Sequence, residues 1–406
     1  MIHKWIDRYN ELIWIRLVGE LLTSTTGAMI APFIVLFLHD KLDGNILLAM
    51  IIVAMQPLSE IILTLLGGTM TDRIGRKKII LVALFLQAMA MTGFIFAESV
   101  WLFAGMYLLN GMGRALYIPA SRAQIADSVE SSKRSEVFAL INTVGAIGFS
   151  IGPIIGYFVF TTDPSLLFAC EAIALILYFF VVLVKLPETA PEYKRDTHTP
   201  RSVITWKERI VTHRYVLGLM AFSLPISFFY AQKESTYPLY MKEMFSDYLL
   251  ILTTIATVKA ILDIVFQFVL TKWAERFSMK NITLITYSCY ILAALGYGYS
   301  SSLWMLLCIQ VILVIAESIG LNHFLRFVSE LAPVTLRGTY FSIYGTHWDI
   351  SRMIGPFTGG MILVDLGGLA LFYLTATMLL IGCTAQYLLV RRIETKASIK
   401  TKVIST

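Results

Sequence analysis

The chain has 406 residues, of which 57% are hydrophobic and 15% charged, and a formal net charge of +6. Apolar residues in that proportion, gathered into runs long enough to cross lipid, exclude a soluble domain and make this an all-α polytopic membrane protein. The positive charge does not point to nucleic acid, because the cations collect in loops on one side of the apolar runs, as the positive-inside rule describes.

In chain order, apolar segments fall at 12–38, 45–70, 79–97, 100–126, 136–160, 165–186, 213–241, 248–272, 281–299, 303–329, 339–363 and 367–390, which predicts twelve transmembrane helices. The first contains Arg16 and Glu20, so it reads as a spanning helix and not as a cleaved signal peptide. Twelve spans place both termini on one side. Lys4 and Arg8, Arg73 to Lys78, Lys133 and Arg134, the stretch 187–212, Lys272, Arg276 and Lys280, Arg337 and the tail alternate with cation-poor turns, which leaves only Lys41 and Lys242 outside. Both termini are therefore expected in the cytoplasm. Residues 187–212 carry three prolines and lack a spanning pattern, so they read as a cytoplasmic linker between an N-terminal six-helix bundle at 1–186 and a C-terminal one at 213–406.

Between the second and third spans lies Gly68-Thr-Met-Thr-Asp72-Arg73-Ile-Gly75-Arg76-Lys77-Lys78. This order of glycine, acid, glycine and basic run resembles motif A of the major facilitator superfamily. In the fifth span, Gly148-x3-Gly152-Pro153-x2-Gly156 resembles motif C, associated with the antiporter branch, although glycines that admit close helix contact and a proline that bends a helix also serve plain packing. In the fourth span, Gly111-Met-Gly113 followed by Pro119 resembles the end of motif B. Tyr107 stands where that motif usually has arginine, and Arg114 comes seven residues later on nearly the same helix face.

A single offset of 203 residues relates the two halves. It carries Asp72 to Glu275, Arg73 to Arg276, Arg134 to Arg337, and the motif C residues to Ser351, Gly355, Pro356 and Gly359. The same offset carries Gln56, Glu60 and Arg114 to Lys259, Asp263 and Glu317.

Ionisable residues inside spans are costly and mark functional sites. Arg16, Glu20, Glu60, Arg114, Lys233, Glu234, Lys259, Asp263, Glu317, Asp349 and Arg352 lie on spans 1, 2, 4, 7, 8, 10 and 11, whereas spans 3, 9 and 12 have essentially none in their apolar cores and span 6 has Glu171. That distribution matches the helices which, in the family resembled, line a central cavity. Glu60 precedes Asp72 by twelve residues, which sets it roughly 18 Å into an apolar core about 30 Å thick. Glu60 has no oppositely charged neighbour at i±3 or i±4, unlike Arg16/Glu20, Lys259/Asp263 and Asp349/Arg352, so an unpaired acid is expected there. Glu60 is the first candidate for proton coupling, followed by Glu20, Asp263 and Glu234. Arg114, Lys259, Glu317, Asp349 and Arg352 are candidate cavity charges. Arg16, near the cytoplasmic end, is expected to snorkel. His347 beside Asp349 is a possible relay or a satisfied core residue.

The resemblance implies a conformational gate at Gly68, Asp72, Arg73, Gly75, Arg76, Arg134 and Arg337, with Asp72 contacting the start of span 11. It further implies a secondary transporter of the drug:proton antiporter branch, expelling small lipophilic compounds by alternating access. A narrower exporter of a siderophore, peptide or sugar fits the same residues. An enzyme would need a convergent nucleophile and base, and a sensor would often carry a soluble appendage; the sequence offers neither. No phosphate-binding loop or zinc motif occurs, and Cys170, Cys289, Cys308 and Cys383 lie at no metal-ligand spacing, so neither cofactor nor metal is expected. The expected partners are a small-molecule substrate, protons and the lipid bilayer of a bacterial plasma membrane, with the protein a monomer.

Overall fold

A computed structural model describes residues 9–67, 74–130, 133–189, 206–332 and 337–404. The described chain is helical throughout: α1 (Glu11–Ile30), α2 (Ile34–Lys41), α3 (Ile46–Gly67), α4 (Arg76–Ile95), α5 (Val100–Ser128), α6 (Arg134–Thr162), α7 (Ser165–Lys185), α8 (Trp206–Glu234), α9 (Thr236–Met244), α10 (Tyr248–Ala274), α11 (Met279–Tyr299), α12 (Leu303–Leu331) and α13 (Arg337–Ile404).

These helices supply all twelve predicted spans. α1 and α2 form one span bent by 46°. α13, 68 residues long, changes direction at Gly367, whose φ of 81° breaks the helical backbone and divides it into spans 11 and 12. α5 has the length to cross but contains Asn110 and Arg114, which lower its hydropathy. α9 continues α8 after Ser235.

The repeat is visible in the local structure. Ser99 and Ser302, related by the offset, cap α5 and α12 by accepting from the amides of Leu102 and Met305. Trp101 and Trp304, 84% and 76% exposed, stand two residues further on, where an amphipathic ring suits the lipid–water boundary. Elsewhere the outward faces are apolar, as at Val184, Phe268 and Ile381.

The fold divides into two compact units, Met1–Thr197 with Phe245–Thr257 and His198–Met244 with Val258–Thr406. In the first, α1 packs on α6 and α7, α4 on α5 and α7, and α3 on α5. In the second, α8 packs on α13, and α11 on α12 and α13. Small residues set the tightest contacts. A Cβ built on Gly111 would collide with Ser59 and the Gln56 carbonyl of α3, and one on Gly152 would lie 2.6 Å from the Thr25 carbonyl oxygen of α1. In the second unit a Cβ on Gly355 would lie 2.6 Å from Ala231 Cβ of α8. The motif C glycines and their counterparts thus let α6 approach α1 and α13 approach α8.

Candidate functional site

Two clusters of charge occupy the middle of spanning helices, and the repeat relates them position by position. In the first unit, Arg114 is the middle residue of the 29-residue α5, and its Nε donates to Glu60 Oε1 of α3 at 3.0 Å. Gln56, one turn before Glu60, donates its Nε2 to the same oxygen at 3.1 Å. Glu60 is therefore not the unpaired acid expected from its own helix: its cation comes from α5, and a neutral amide fills the position one turn away. Tyr107, at the position of motif B's arginine, is buried edge-on against Phe94.

In the second unit, Glu317 is the middle residue of the equally long α12. Lys259 of α10 donates to Asp263 Oδ2 on its own helix at 2.6 Å and to Glu317 Oε2 at 2.8 Å. Side-chain exposure at the three positions is 15–25%, so all are largely withdrawn from solvent. Around them stand Tyr230 of α8 and Tyr290 of α11, whose hydroxyls are 3.1 Å apart, and Lys233 of α8, 5.9 Å from the centroid of the Tyr230 ring.

The other predicted charges divide differently. Arg16 is 3% exposed and donates to the hydroxyls of Tyr117 and Tyr178 at 3.2 and 2.9 Å, so two tyrosines hold it inside the bundle and it does not snorkel. Glu20, half-buried, faces α6: a Cβ on Gly145 would lie 3.2 Å from its Oε1, and no hydrogen bond or ion pair to its carboxylate occurs among the described residues. Glu234 meets Arg352 Nη2 at 3.6 Å in a half-exposed pair, with Asp349 one turn before Arg352. His347 is 1% exposed between the rings of Tyr344 and Trp348, and neither ring nitrogen has a hydrogen-bond partner among the described residues, so no bond links it to Asp349. Among the described residues the four cysteines are free and no group of metal-ligating side chains converges.

A family model described as Major Facilitator Superfamily matches residues 17–356 and 235–405. The chain belongs to that superfamily. It is 48% identical to the "Uncharacterized MFS-type transporter YhjO" of Bacillus subtilis (strain 168), over 97% of each chain. It is 26% identical to a "Na(+), Li(+), K(+)/H(+) antiporter" of Planococcus maritimus, covering 86% of this chain and 89% of that one. It is 24% identical to "Multidrug resistance protein MdtG" of Salmonella typhi, covering 92% and 94%. Among solved structures, a D-xylose-proton symporter superposes with a TM-score of 0.74 at 16% identity, over 92% of this chain and 96% of the other, and so shares the fold. This major facilitator is an integral membrane transporter and not an enzyme.

Its loop between spans 2 and 3 is described from Ile74 onward; Gly68, Asp72 and Arg73 lie outside the described residues, and with them the expected contact of Asp72. Gly75 has φ of 107°, which permits the turn into α4. Arg76 is 8% exposed, its Nε donating to Asp127 Oδ2 at 3.2 Å. Glu188, the second residue after α7's C-cap, accepts from the backbone amides of Arg76 at 2.7 Å and Lys77 at 3.2 Å, a carboxylate on the positive end of α4. Arg134 is exposed and donates to the Val129 carbonyl oxygen at 3.1 Å, and Arg337 begins α13 with its side chain outside the described residues.

Helical spacing alone does not bring Gln56, Tyr117, Tyr178, Asp127 or Glu188 to these sites. The offset pairing Gln56 with Lys259 was a usable signal. Glu188 had none, since it read as one more charge in the linker.

Proposed function

We propose that this transporter exports small lipophilic, drug-like compounds in exchange for protons, by alternating access of an N-terminal bundle at 1–186 and a C-terminal bundle at 213–406 joined by the 187–212 linker. The observation that carries the reading is the placement of carboxylates in the middle of spanning helices, where Glu60, Asp263 and Glu317 lie on cation partners and Glu20 on none among the described residues. A charge at that depth is costly, and the spans that carry one mark an ion or substrate pathway. The relatives named as a multidrug resistance protein and as a cation/proton antiporter support lipophilic substrates and proton exchange.

In this reading Glu20, Glu60, Glu234, Asp263 and Glu317 are the acids from which the coupling site is drawn, and Arg114, Lys259, Asp349 and Arg352 shape the electrostatic surroundings. Gly68, Asp72, Arg73, Gly75, Arg76, Arg134 and Arg337 form the gate. The protein works as a monomer in a bacterial plasma membrane with both termini inside.

The test is purified protein in proteoliposomes with ethidium as the probe. An imposed pH gradient should drive ethidium uphill, with protons moving the opposite way. Ethidium movement that equilibrates without responding to the gradient would remove proton coupling from the reading. Orientation is checked separately with a cysteine at Lys78, exposed on α4: labelling from outside intact cells by an impermeant reagent would reverse the topology.

A further inference from the structure

We propose that the coupled proton is held by the Lys259–Asp263–Glu317 cluster, on Glu317, and that its repeat counterpart Gln56–Glu60–Arg114 is a fixed ion pair. The assignment rests on the proton-coupled reading above and names the group that serves it.

The first ground is charge matching. At the three equivalent positions the first unit has an amide, an acid and a guanidinium, so one carboxylate meets one cation, and Glu60 Oε1 accepts from both neighbours. The second unit has an ammonium and two carboxylates, and the single Lys259 serves both. Among these directly bonded groups one negative charge is in excess, and Lys233, the further cation facing them from α8, makes no ion pair with either carboxylate among the described residues. In the low dielectric of a helix bundle an unmatched charge is expensive, and taking up a proton removes it. A protonated Glu317 leaves Lys259 matched one to one with Asp263, the balance that Glu60 and Arg114 already have.

The second ground selects Glu317 over Asp263. Asp263 is one turn from Lys259 on the same helix, so their 2.6 Å contact persists wherever α10 goes. Glu317 is on α12, and its 2.8 Å bond to Lys259 crosses between helices. Among the described residues α10 makes no backbone approach to α12 comparable to that of α3 and α5; besides the Lys259 bond, Thr271 Oγ1 of α10 donates to the Ser318 carbonyl oxygen at 2.8 Å and accepts from Asn322 Nδ2 at 3.3 Å, so polar contacts join the two helices. Residue size accounts for the difference: Gly111 and Gly113, which admit α3 and α4 to α5, correspond to Val314 and Ala316. Glu317 Oε1 is buried and accepts no hydrogen bond among the described residues, so one carboxylate oxygen is left over for a proton.

The groups facing Glu317 are Tyr230 and Lys233 from α8, Lys259 and Asp263 from α10, and Tyr290 from α11; Glu234, next to Lys233 in the chain, meets Arg352 at 3.6 Å. In the proposed step water on one side gives a proton to Glu317 Oε1, the Lys259–Glu317 ion pair is weakened, and the proton returns to water on the other side when the pair reforms.

Two measurements on the full-length protein test this. The first needs no substrate: the acid-minus-alkaline infrared difference spectrum in detergent should show a protonated-carboxyl band that disappears in Glu317→Gln and survives in Glu60→Gln. The second is pH-driven ethidium accumulation, which Lys259→Gln with Glu317→Arg, a copy of the first-unit composition, should lower at least tenfold. Adding Gln56→Lys and Arg114→Glu to that variant, which moves the ammonium and second carboxylate to the other half, should restore both the band and the accumulation. A band unchanged in Glu317→Gln overturns the assignment, as does uphill transport unchanged in the Lys259→Gln, Glu317→Arg variant. A wild-type band without gradient-driven transport instead leaves the proton site standing and removes the antiport reading.

Discussion

The two halves of this transporter repeat the same scaffold around different charges. Residues that shape the backbone recur at the offset: Ser99 and Ser302 cap equivalent helices, Trp101 and Trp304 are both exposed, and Pro153 and Pro356 lie inside equivalent spans. The charges inside the spans recur only in part. Gln56, Glu60 and Arg114 face Lys259, Asp263 and Glu317 across the repeat, with only an acid kept at the middle position. The packing diverges with them, since Gly111 presses α5 onto α3 where the second half has Val314. A duplicated fold can therefore keep one half closely packed and charge-balanced while the other keeps an ion pair between looser helices.

The largest expected effect comes from exchanging the residues that set the packing. Gly111→Val inserts a side chain into Ser59 and the Gln56 carbonyl, and such overpacking costs ~1–3 kcal/mol or more. Folded yield in detergent should collapse, whereas Val314→Gly, which leaves a cavity without a clash, should lower the unfolding temperature while the protein still folds. Equal losses at both sites would show that α3 and α5 are packed no more tightly than their counterparts.

Next come the ion pairs. Arg114→Gln leaves Glu60 without its cation, for a stability loss of about 1–3 kcal/mol, and adding Glu60→Gln should recover much of it, a coupling that a double-mutant cycle measures by thermal unfolding. Glu317→Gln should cost clearly less, because Lys259 retains Asp263. A loss as large as that of Arg114→Gln would mean that the second cluster is as rigidly interlocked as the first.

The smallest effect concerns Glu188, which caps α4 in the first half. Its counterpart by the offset is Arg391, so the second half has no such acid. Glu188→Ala should cost about 1 kcal/mol, as the loss of a helix cap does, and Arg391→Ala should be close to neutral; unfolding temperatures of the two variants sharpen the contrast.

Some of the candidate site was legible in one dimension and some was not. The pairing of Lys259 with Asp263 follows from helical spacing alone, because four residues make one turn. The partner of Glu60 does not, since Arg114 is 54 residues away on another helix, and nothing in the periodicity of α3 reports what α5 brings against it. Arg16 misleads for the same reason: its depth near a helix end suggests snorkelling, but Tyr117 and Tyr178 arrive from two other helices to hold it.

By itself the sequence determined the number of spans, their order, the family and the correspondence between halves, because each follows from properties local to a segment: apolar length, loop charge, or residues at a constant offset. Tertiary structure alone decided which charges meet, since that depends on how helices are rotated and how closely glycine or valine lets them approach. It turned Glu60 from a solitary acid into half of an ion pair, and it placed one lysine between Asp263 and Glu317.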